Sequence, residues 1–527
     1  MNINLYLVII AAVIFLIPTA MAAVDSMHFF QLNSYRFDTH TKWMKENSKK
    51  YLTHIIFSLL MLIVLLFDVG IKIKAVALIV LLLASTPSEK PKKAKKPLVY
   101  TPRVKRMLLT EVLFTVLLLG LVSIPSFTGT EPHETYFLIT LALIYAFAPY
   151  LCLVSNFINK PVELSVNQYY TNDAKRILKS CPDLKIIGIT GSYGKTSVKY
   201  YLTTLLRTKY NVLMTPESYN TPMGVVKTIR SSLKATDEIF VCEMGAKWVG
   251  DIKELCDIVH PHHGVITSIG PQHLESFKTL DAVKGTKFEL ADSLPEGGML
   301  FLNGDDENIR DHGSDRPYIS YSIEGDADYV AFNLSVSERG TSFSVKTRDG
   351  ETEEFSTRLI GRHNVLNIVG AIAISHKMGI SLKELRPAVR RLEGVPHRLQ
   401  LTDKGSLTVI DDAYNSNPSG TKAALEALSL FHGYKILVTP GMVELGEKQN
   451  ELNREFGKNA AAVCDYVVLV GIKQAVPIRA GLIDKKYPED KIFVATDINE
   501  ALSHVYALNS QGRKKIVLLE NDLPDNY

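Results

Sequence analysis

Nearly all the long apolar runs of this 527-residue chain lie before residue 156. The first, Ile3 to Ala23, carries no charged side chain and is long enough to span a bilayer as a helix. Ile55 to Phe67, interrupted only by Ser58, and Ala75 to Ala84 are shorter. They are read as a tight pair of short helices or a re-entrant hairpin. Leu108 to Ile124 and Tyr136 to Val154 are better candidates for full spans. The expectation is an α-helical membrane domain of about five spans over residues 1–160, with four as the alternative count. Ala20-Met21-Ala22 resembles a cleavage site, but Met1 to Leu7 holds no Lys or Arg, so a retained anchor is favoured over a signal peptide.

Loop charges orient these spans. Lys90-Pro91-Lys92-Lys93-Ala94-Lys95-Lys96, with Arg103, Lys105 and Arg106, is strongly basic and is expected to stay cytoplasmic. Lys42, Lys45, Lys49 and Lys50 fit a second inside loop, and Ser123 to Thr135, without Lys or Arg, an outside one. The last span then returns the chain to the cytoplasm, which gives a multi-pass plasma-membrane protein. The basic stretch is read as a topology determinant in preference to a lipid-headgroup site. The net charge of +4, from 59 Lys and Arg against 55 Asp and Glu, gives no argument for a nucleic-acid partner. Cys152, Cys181, Cys242, Cys256 and Cys464 are scattered without a paired spacing, as expected for reduced thiols.

Beyond a connector expected over Ser155 to Cys181, short β-rich runs alternate with helical patterns. Ile186–Thr190, Glu238–Glu243 and Gly264–Ser268 read as buried strands of a largely parallel sheet with helices on both faces. After the break at Gly394 and Pro396, a second α/β block shows strands near Leu407–Asp411, Lys435–Thr439, Tyr466–Val470, Lys491–Val494 and Lys515–Leu519. That block resembles a Rossmann-like fold but lacks Gly-x-Gly-x-x-Gly, so no dinucleotide is expected there.

The chemistry starts at Gly188-Ile189-Thr190-Gly191-Ser192-Tyr193-Gly194-Lys195-Thr196-Ser197, directly after the apolar run Leu184–Ile187. A strand, a glycine-rich turn, Lys-Thr and a helix form a phosphate cradle. The glycines admit close backbone approach, and the helix N-terminus favours negative charge. Lys195 would reach the terminal phosphates and the Thr196 hydroxyl would meet Mg2+. Glu243, His273 and Lys287 are further candidates. Taken singly, a strand-end Glu, a lone His and a helical Lys are each more often structural. His260, His262 and His263 have near metal-ligand spacing, but a Pro-containing turn before a strand is the preferred reading.

In this order the motifs resemble the Mur ligase family of ATP-dependent amide ligases, from about Lys185 to the end. The loop Thr190–Thr196 has that family's spacing. Gly361-Arg362-His363-Asn364-Val365-Leu366-Asn367, Asp411-Asp412-Ala413-Tyr414-Asn415-Ser416-Asn417-Pro418 and Gly441-Met442-Val443-Glu444-Leu445-Gly446 look most like the member that adds D-alanyl-D-alanine to a muramoyl peptide. The resemblance implies a P-loop central domain over 161–398 and a Rossmann-like C-terminal domain over 399–527. It implies ATP and Mg2+, with Gly191 to Ser197 on the phosphates and Thr196, Glu243 and His273 as metal ligands. Lys287, carbamylated by CO2, would position a second Mg2+. Asn220 and Thr221 would lie near the acyl-phosphate site, and His363, Asn364 and Asn367 near the adenine. Arg398 would neutralise the γ-phosphate, Asp411 or Asp412 would contact ATP, and Asn415 and Asn417 would shape that edge.

One departure stands out. The D-alanyl-D-alanine-adding enzymes ordinarily begin with a soluble domain that grips a UDP-sugar, and here the membrane block occupies its place. The acceptor is therefore expected to be either a UDP-linked or a lipid-linked muramoyl peptide, with a non-muramoyl acceptor such as another surface polymer or a polyglutamate-like chain as the alternative, and the amine D-alanyl-D-alanine or another nucleophile. A non-catalytic ATP-binding membrane scaffold is the rival from another class. It predicts losses among Lys195, Glu243, His273, Lys287 and Arg398, yet all five are present. A membrane transporter ATPase accounts less well for the second α/β block.

Overall fold

The computed structural model describes residues 3–89, 96–123, 133–217, 219–405, 407–413, 416–443, 445–471 and 475–522. The chain forms two compact units, one up to Gln168 and one from Tyr169 to Leu523. In the first, apolar helices Ile3–Leu32, Leu52–Leu66, Ile71–Ser85, Pro102–Ser123 and His133–Phe147 match the five apolar runs. Among the described residues, four stretches are long and apolar enough to cross a membrane: Ile3–Leu32, Ser48–Leu66, Ile71–Glu89 and Glu134–Lys179. Ala11, Phe15, Met61, Leu78, Leu138 and Tyr145 pack inside the bundle. Ile10, Val13, Leu16, Leu59, Val80, Val112 and Leu117 face outward and are exposed. Each such side chain left in water forgoes about 1.5–3 kcal/mol of burial. An exterior as apolar as the interior fits membrane association, not a water-facing bundle. The basic stretch 90–95 and most of the expected outside loop 123–135 lie outside the described residues.

The polar side chains of this unit pair with one another. Lys50 Nζ lies 2.6 Å from Asp25, and Arg106 lies 2.7 Å from Glu163. Glu89 accepts from the Tyr145 hydroxyl at 2.8 Å and lies 2.9 Å from His54 Nδ1. The expected connector is instead part of a 29-residue helix, Leu151–Lys179. Pro161 lies inside this helix, where proline removes one helical hydrogen bond. Asn159, which donates to Thr110 Oγ1 at 2.8 Å, and Glu163, which holds Arg106, fasten the helix on either side of it.

The second unit holds two sheets. Strands β1 (Lys185–Thr190), β2 (Val212–Met214), β3 (Ile239–Glu243), β4 (His263–Ile266), β5 (Leu300–Asn303), β6 (Tyr318–Ser322), β7 (Tyr329–Ser337), β8 (Gly340–Thr347) and β9 (Thr352–Thr357) run in the order β2-β3-β1-β4-β5-β6-β7-β8-β9. Pairing is parallel from β2 to β7 and antiparallel beyond. The antiparallel extension was not anticipated. Alternation along each strand feeds two cores. Ile187, Ile189 and Val241 face the helices Lys195–Leu206 and Arg362–Lys377, whereas Ile186, Phe240 and Cys242 face Pro222–Ser232, Asp251–Val259 and Leu280–Asp292.

The other sheet contains β10 (Gln400–Asp403), β11 (Leu407–Asp412), β12 (Tyr434–Thr439), β13 (Tyr466–Val470), β14 (Ile492–Ala495) and β15 (Lys515–Glu520), in the order β10-β11-β15-β12-β13-β14. All its pairs are parallel except β10–β11. The five strands expected from the sequence match β11 to β15 to within a residue. All five cysteines are free, and all but Cys181 are buried.

The apolar exterior of the first unit predicts that the full chain stays in the membrane pellet through an alkaline carbonate wash and leaves it only with detergent. Recovery in the wash supernatant would contradict this reading of the helices.

Candidate functional site

In an open parallel sheet, ligands bind outside the carboxyl ends of the strands, where the strand order reverses. β1 is that strand: the chain leaves it for β2 and β3 on one side and later adds β4 on the other. The carboxyl ends of β1, β3 and β4 bring together the loop Gly191–Gly194, Glu243, and Thr267 with Ser268.

The loop is built for glycine at two points. Gly191 has φ +149°, and a Cβ there would lie 2.1 Å from Thr267 Oγ1; Gly194 has φ +79°, and a Cβ there would lie 2.7 Å from Asn367 Oδ1. Neighbouring strands fix the rest. The Ser192 amide donates to the Ser268 carbonyl at 2.7 Å, the Tyr193 amide to Ser268 Oγ at 2.9 Å, and Ser192 Oγ to the Gly270 carbonyl at 3.1 Å. Gly194 precedes the helix Lys195–Leu206, whose first-turn N–H groups lack intrahelical partners and turn toward the loop. Lys195 Nζ donates to the carbonyls of Gly191 at 2.6 Å and Ser192 at 3.2 Å. Burial pushes its ammonium down to about 8, with Arg398 adding to that and Glu243 opposing it.

Glu243 ends β3 and is 1% exposed. Its Oε1 accepts from Thr196 Oγ1 at 3.2 Å and from Asn220 Nδ2 at 3.0 Å, and its Oε2 lies 3.0 Å from Lys199 Nζ. Its own amide donates to Thr215 Oγ1 at 3.0 Å. Burial raises its carboxyl, but Lys199, then Lys195 and the Asn220 hydrogen bond, hold it below the usual carboxylate range. Three expected residues, Thr196, Asn220 and Glu243, thus meet at one carboxylate. Thr196 Oγ1 and Glu243 Oε1 are hard oxygen donors on adjacent elements, a set that suits Mg2+. Among the described residues no group of three or more His, Cys, Asp or Glu could hold a metal. A Mg2+ ion here would complete its shell with water and phosphate oxygens, as this ion ordinarily does.

Other expected residues fall into several settings. His273 sits at φ +53° just before the short helix Leu274–Phe277. Lys287 is 2% exposed on the helix Leu280–Asp292. Burial, reinforced by Lys195, pulls its amine well below the ordinary lysine value, while Asp251 and Glu289 oppose this. Asn367 reaches the phosphate loop at Gly194. Asn364 does not face that loop: it is 5% exposed, accepts from the Tyr201 hydroxyl at 2.8 Å and donates to the Ile360 carbonyl at 2.9 Å. Burial lowers His363 to about 4. His262 and His263 each accept a backbone N–H on Nδ1, from Ile186 and Met299, both at 3.1 Å.

At the join with the second sheet, His397 and Leu399 both have left-handed φ, +57° and +48°. Between them lies Arg398, whose charge acts on Lys195 and on Asp412. His397 Nδ1 lies 2.8 Å from Asp411 Oδ2, and the Leu399 amide donates to Asp412 Oδ1 at 3.1 Å. Asn417 caps the helix Pro418–Ser429 by accepting from the Gly420 amide at 2.8 Å. Tyr414, Asn415 and Glu444 lie outside the described residues.

Two residues escaped the sequence reading. Lys199, 0% exposed, holds Glu243 from the same helix face as Lys195. Its spacing of four from Lys195 was the available signal. Glu520, 1% exposed at the end of β15, pairs in register with Asp412 and accepts from Ser416 Oγ at 2.8 Å. Burial, then the Asp412 charge, raises its carboxyl well above the usual range. No motif marked it.

Known proteins share this arrangement. Residues 189–375 match the Mur ligase middle domain and residues 397–519 the Mur ligase glutamate ligase domain. The UDP-N-acetylmuramoyl-tripeptide–D-alanyl-D-alanine ligase of Bacillus subtilis (strain 168) is 34% identical over 333 residues, 62% of this chain and 71% of that enzyme. The Escherichia coli (strain K12) enzyme of the same name is 30% identical over 331 residues, 60% of this chain and 72% of its own. A crystal structure of MurF from Acinetobacter baumannii superposes with a TM-score of 0.61 at 26% identity, covering 67% of this chain and 77% of that one. MurF from Thermotoga maritima in complex with ADP gives 0.61 at 27% identity, covering 68% and 80%. The phosphate loop, the strand-end carboxylate and both matched domains lead to one conclusion: the chain belongs to the Mur ligase family and is an ATP-dependent ligase that forms amide bonds.

Proposed function

We propose that this chain is a multi-pass plasma-membrane ligase that adds D-alanyl-D-alanine to a muramoyl-tripeptide, with residues 161–398 and 399–527 as cytoplasmic catalytic domains behind a membrane domain over 1–160. The match of both ligase domains to enzymes named for that reaction carries the reading. A carboxylate is a poor acyl donor because its oxygen leaves badly. Attack of the acceptor carboxylate on the γ-phosphorus breaks the bond to ADP and gives an acyl phosphate. The amine then attacks the carbonyl, loses a proton, and expels phosphate from the tetrahedral intermediate.

The chain's own part in this is positioning and charge neutralisation. The amides of Gly191 to Ser197 cradle the phosphates. Lys195, now turned onto the carbonyls of Gly191 and Ser192, moves to the terminal phosphates. Arg398 neutralises the γ-phosphate as the strained segment His397–Leu399 lets the last domain close. Asn220 orients the acyl end, while Asn367, His363 and the Asp411–Asp412 edge border the nucleotide. Thr196, Glu243, His273 and Lys287 would hold Mg2+, which supplies positive charge at the phosphates. The neutral amine is the form that combines with CO2, and burial shifts Lys287 toward that form, which supports its carbamylation.

A second reading concerns the acceptor. The helical unit stands where such ligases ordinarily carry a domain for the UDP-sugar, and this favours a lipid-linked acceptor held at the bilayer. A cell-free assay of detergent-solubilised protein, comparing UDP-muramoyl-tripeptide with its lipid-linked counterpart, separates the two. Ligation of the soluble substrate alone eliminates the lipid version, and ligation of neither with D-alanyl-D-alanine overturns the main proposal.

Lys195→Ala should keep the wild-type circular dichroism spectrum and lose at least a hundredfold in ligation rate, about 3 kcal/mol of transition-state stabilisation. Turnover near wild type would remove the phosphate-loop assignment. Activity should also fall in CO2-depleted buffer and recover with bicarbonate, and Lys287→Ala should be inactive in both. Indifference to CO2 would exclude carbamylation.

A further inference from the structure

Lys199 is buried completely, four residues past Lys195 on the same face of the helix Lys195–Leu206. A buried ammonium needs a counter-charge and hydrogen-bond acceptors. Lys199 has both, with Glu243 Oε2 at 3.0 Å and the Glu217 carbonyl as acceptor. Glu243 therefore divides its two oxygens. Oε2 faces a fixed cation, while Oε1 faces the neutral donors Thr196 and Asn220 beside the phosphate loop. The other charge that acts strongly on this carboxylate, Lys195, is positive as well. A divalent cation arriving alone thus meets a carboxylate already neutralised. One arriving with a nucleotide brings the phosphate charge that tips the balance.

We infer that Lys199 is a positioning residue, the built-in counter-cation of Glu243. It turns Oε1 toward the metal side and makes divalent-cation binding conditional on nucleotide. The inference rests on Glu243 being a metal-side residue, as proposed above. It assigns Lys199 no contact with substrate.

The test measures Mn2+ binding to the full-length detergent-solubilised protein by electron paramagnetic resonance, with and without ADP. Wild type should bind Mn2+ at least tenfold more weakly without ADP than with it. Lys199→Met should erase most of that difference by binding Mn2+ alone at least tenfold more tightly than wild type does. It should also gain a rise in melting temperature with Mn2+ that wild type lacks. Lys199→Gln, which keeps a donor for the Glu217 carbonyl, serves if the Met variant does not fold. Adding Glu243→Gln to either should abolish the gain. Nucleotide-free Mn2+ affinity unchanged in the folded variant overturns the inference, as does equal wild-type binding with and without ADP. If the single variant Glu243→Gln binds Mn2+ with ADP as wild type does, the metal-side assignment of Glu243 fails instead.

Discussion

The Glu243 carboxylate is the point on which the catalytic unit is assembled. It ends β3 beside β1, and its side chain collects Thr196 and Lys199 from the helix after the phosphate loop and Asn220 from the segment after β2. One buried charge thereby fixes the helix that carries Lys195, the loop that carries Asn220, and the edge of the sheet. Taking Glu243 and Lys199 out of water is costly, and removing either partner alone typically costs ~3–5 kcal/mol because the other is left buried and unpaired. Hydrophobic side chains of similar volume would fill the same space at no such cost. The pair therefore makes more sense as a device for placing a charge at the strand end than as a source of stability.

How much of this was readable follows from the range of the interactions. Local patterns were. The loop Gly191–Gly194 needs positive φ at both glycines, and its spacing to Lys195 and Thr196 is contiguous in sequence. The strands β12 and β13 are largely apolar runs buried on both faces, which show without any partner. Tertiary pairing was harder to read. Lys199 looks like a solvated helical lysine until β3 is laid beside β1. Asn364 stands out in its motif, but its hydrogen bonds to the Tyr201 hydroxyl and the Ile360 carbonyl have no local pattern. The helix through Pro161 was hidden for the same reason, since Thr110 and Arg106, about fifty residues away, hold its neighbours. Strands β7 to β9 pair with each other as hairpins at the sheet's end, and their polar, alternating residues resemble loop more than core.

The membrane unit obeys a different solvent. Its interior and exterior are both apolar, so packing there gains little from excluding water and must rely on close contact and internal hydrogen bonds. Several of its ionisable side chains are accordingly paired: Asp25 with Lys50, His54 and Tyr145 with Glu89, Arg106 with Glu163. Run length exposed the apolar helices in the sequence, whereas the pairs between helices had no local pattern to betray them.

The join between the two sheets is held differently from the phosphate loop. Gly191 and Gly194 are locked by Thr267, Ser268 and Asn367, so the cradle has little freedom. At His397 and Leu399, by contrast, non-glycine residues are held in left-handed backbone, a conformation worth keeping only where contacts enforce it. Those contacts include His397 to Asp411, the Leu399 amide to Asp412, and the packing of Leu399 against the core of the second sheet. Arg398 lies between these two residues and acts on charges in both sheets. A ligase must exclude water from an acyl phosphate yet admit a bulky acceptor, and a stiff cradle under a strained joint serves both demands.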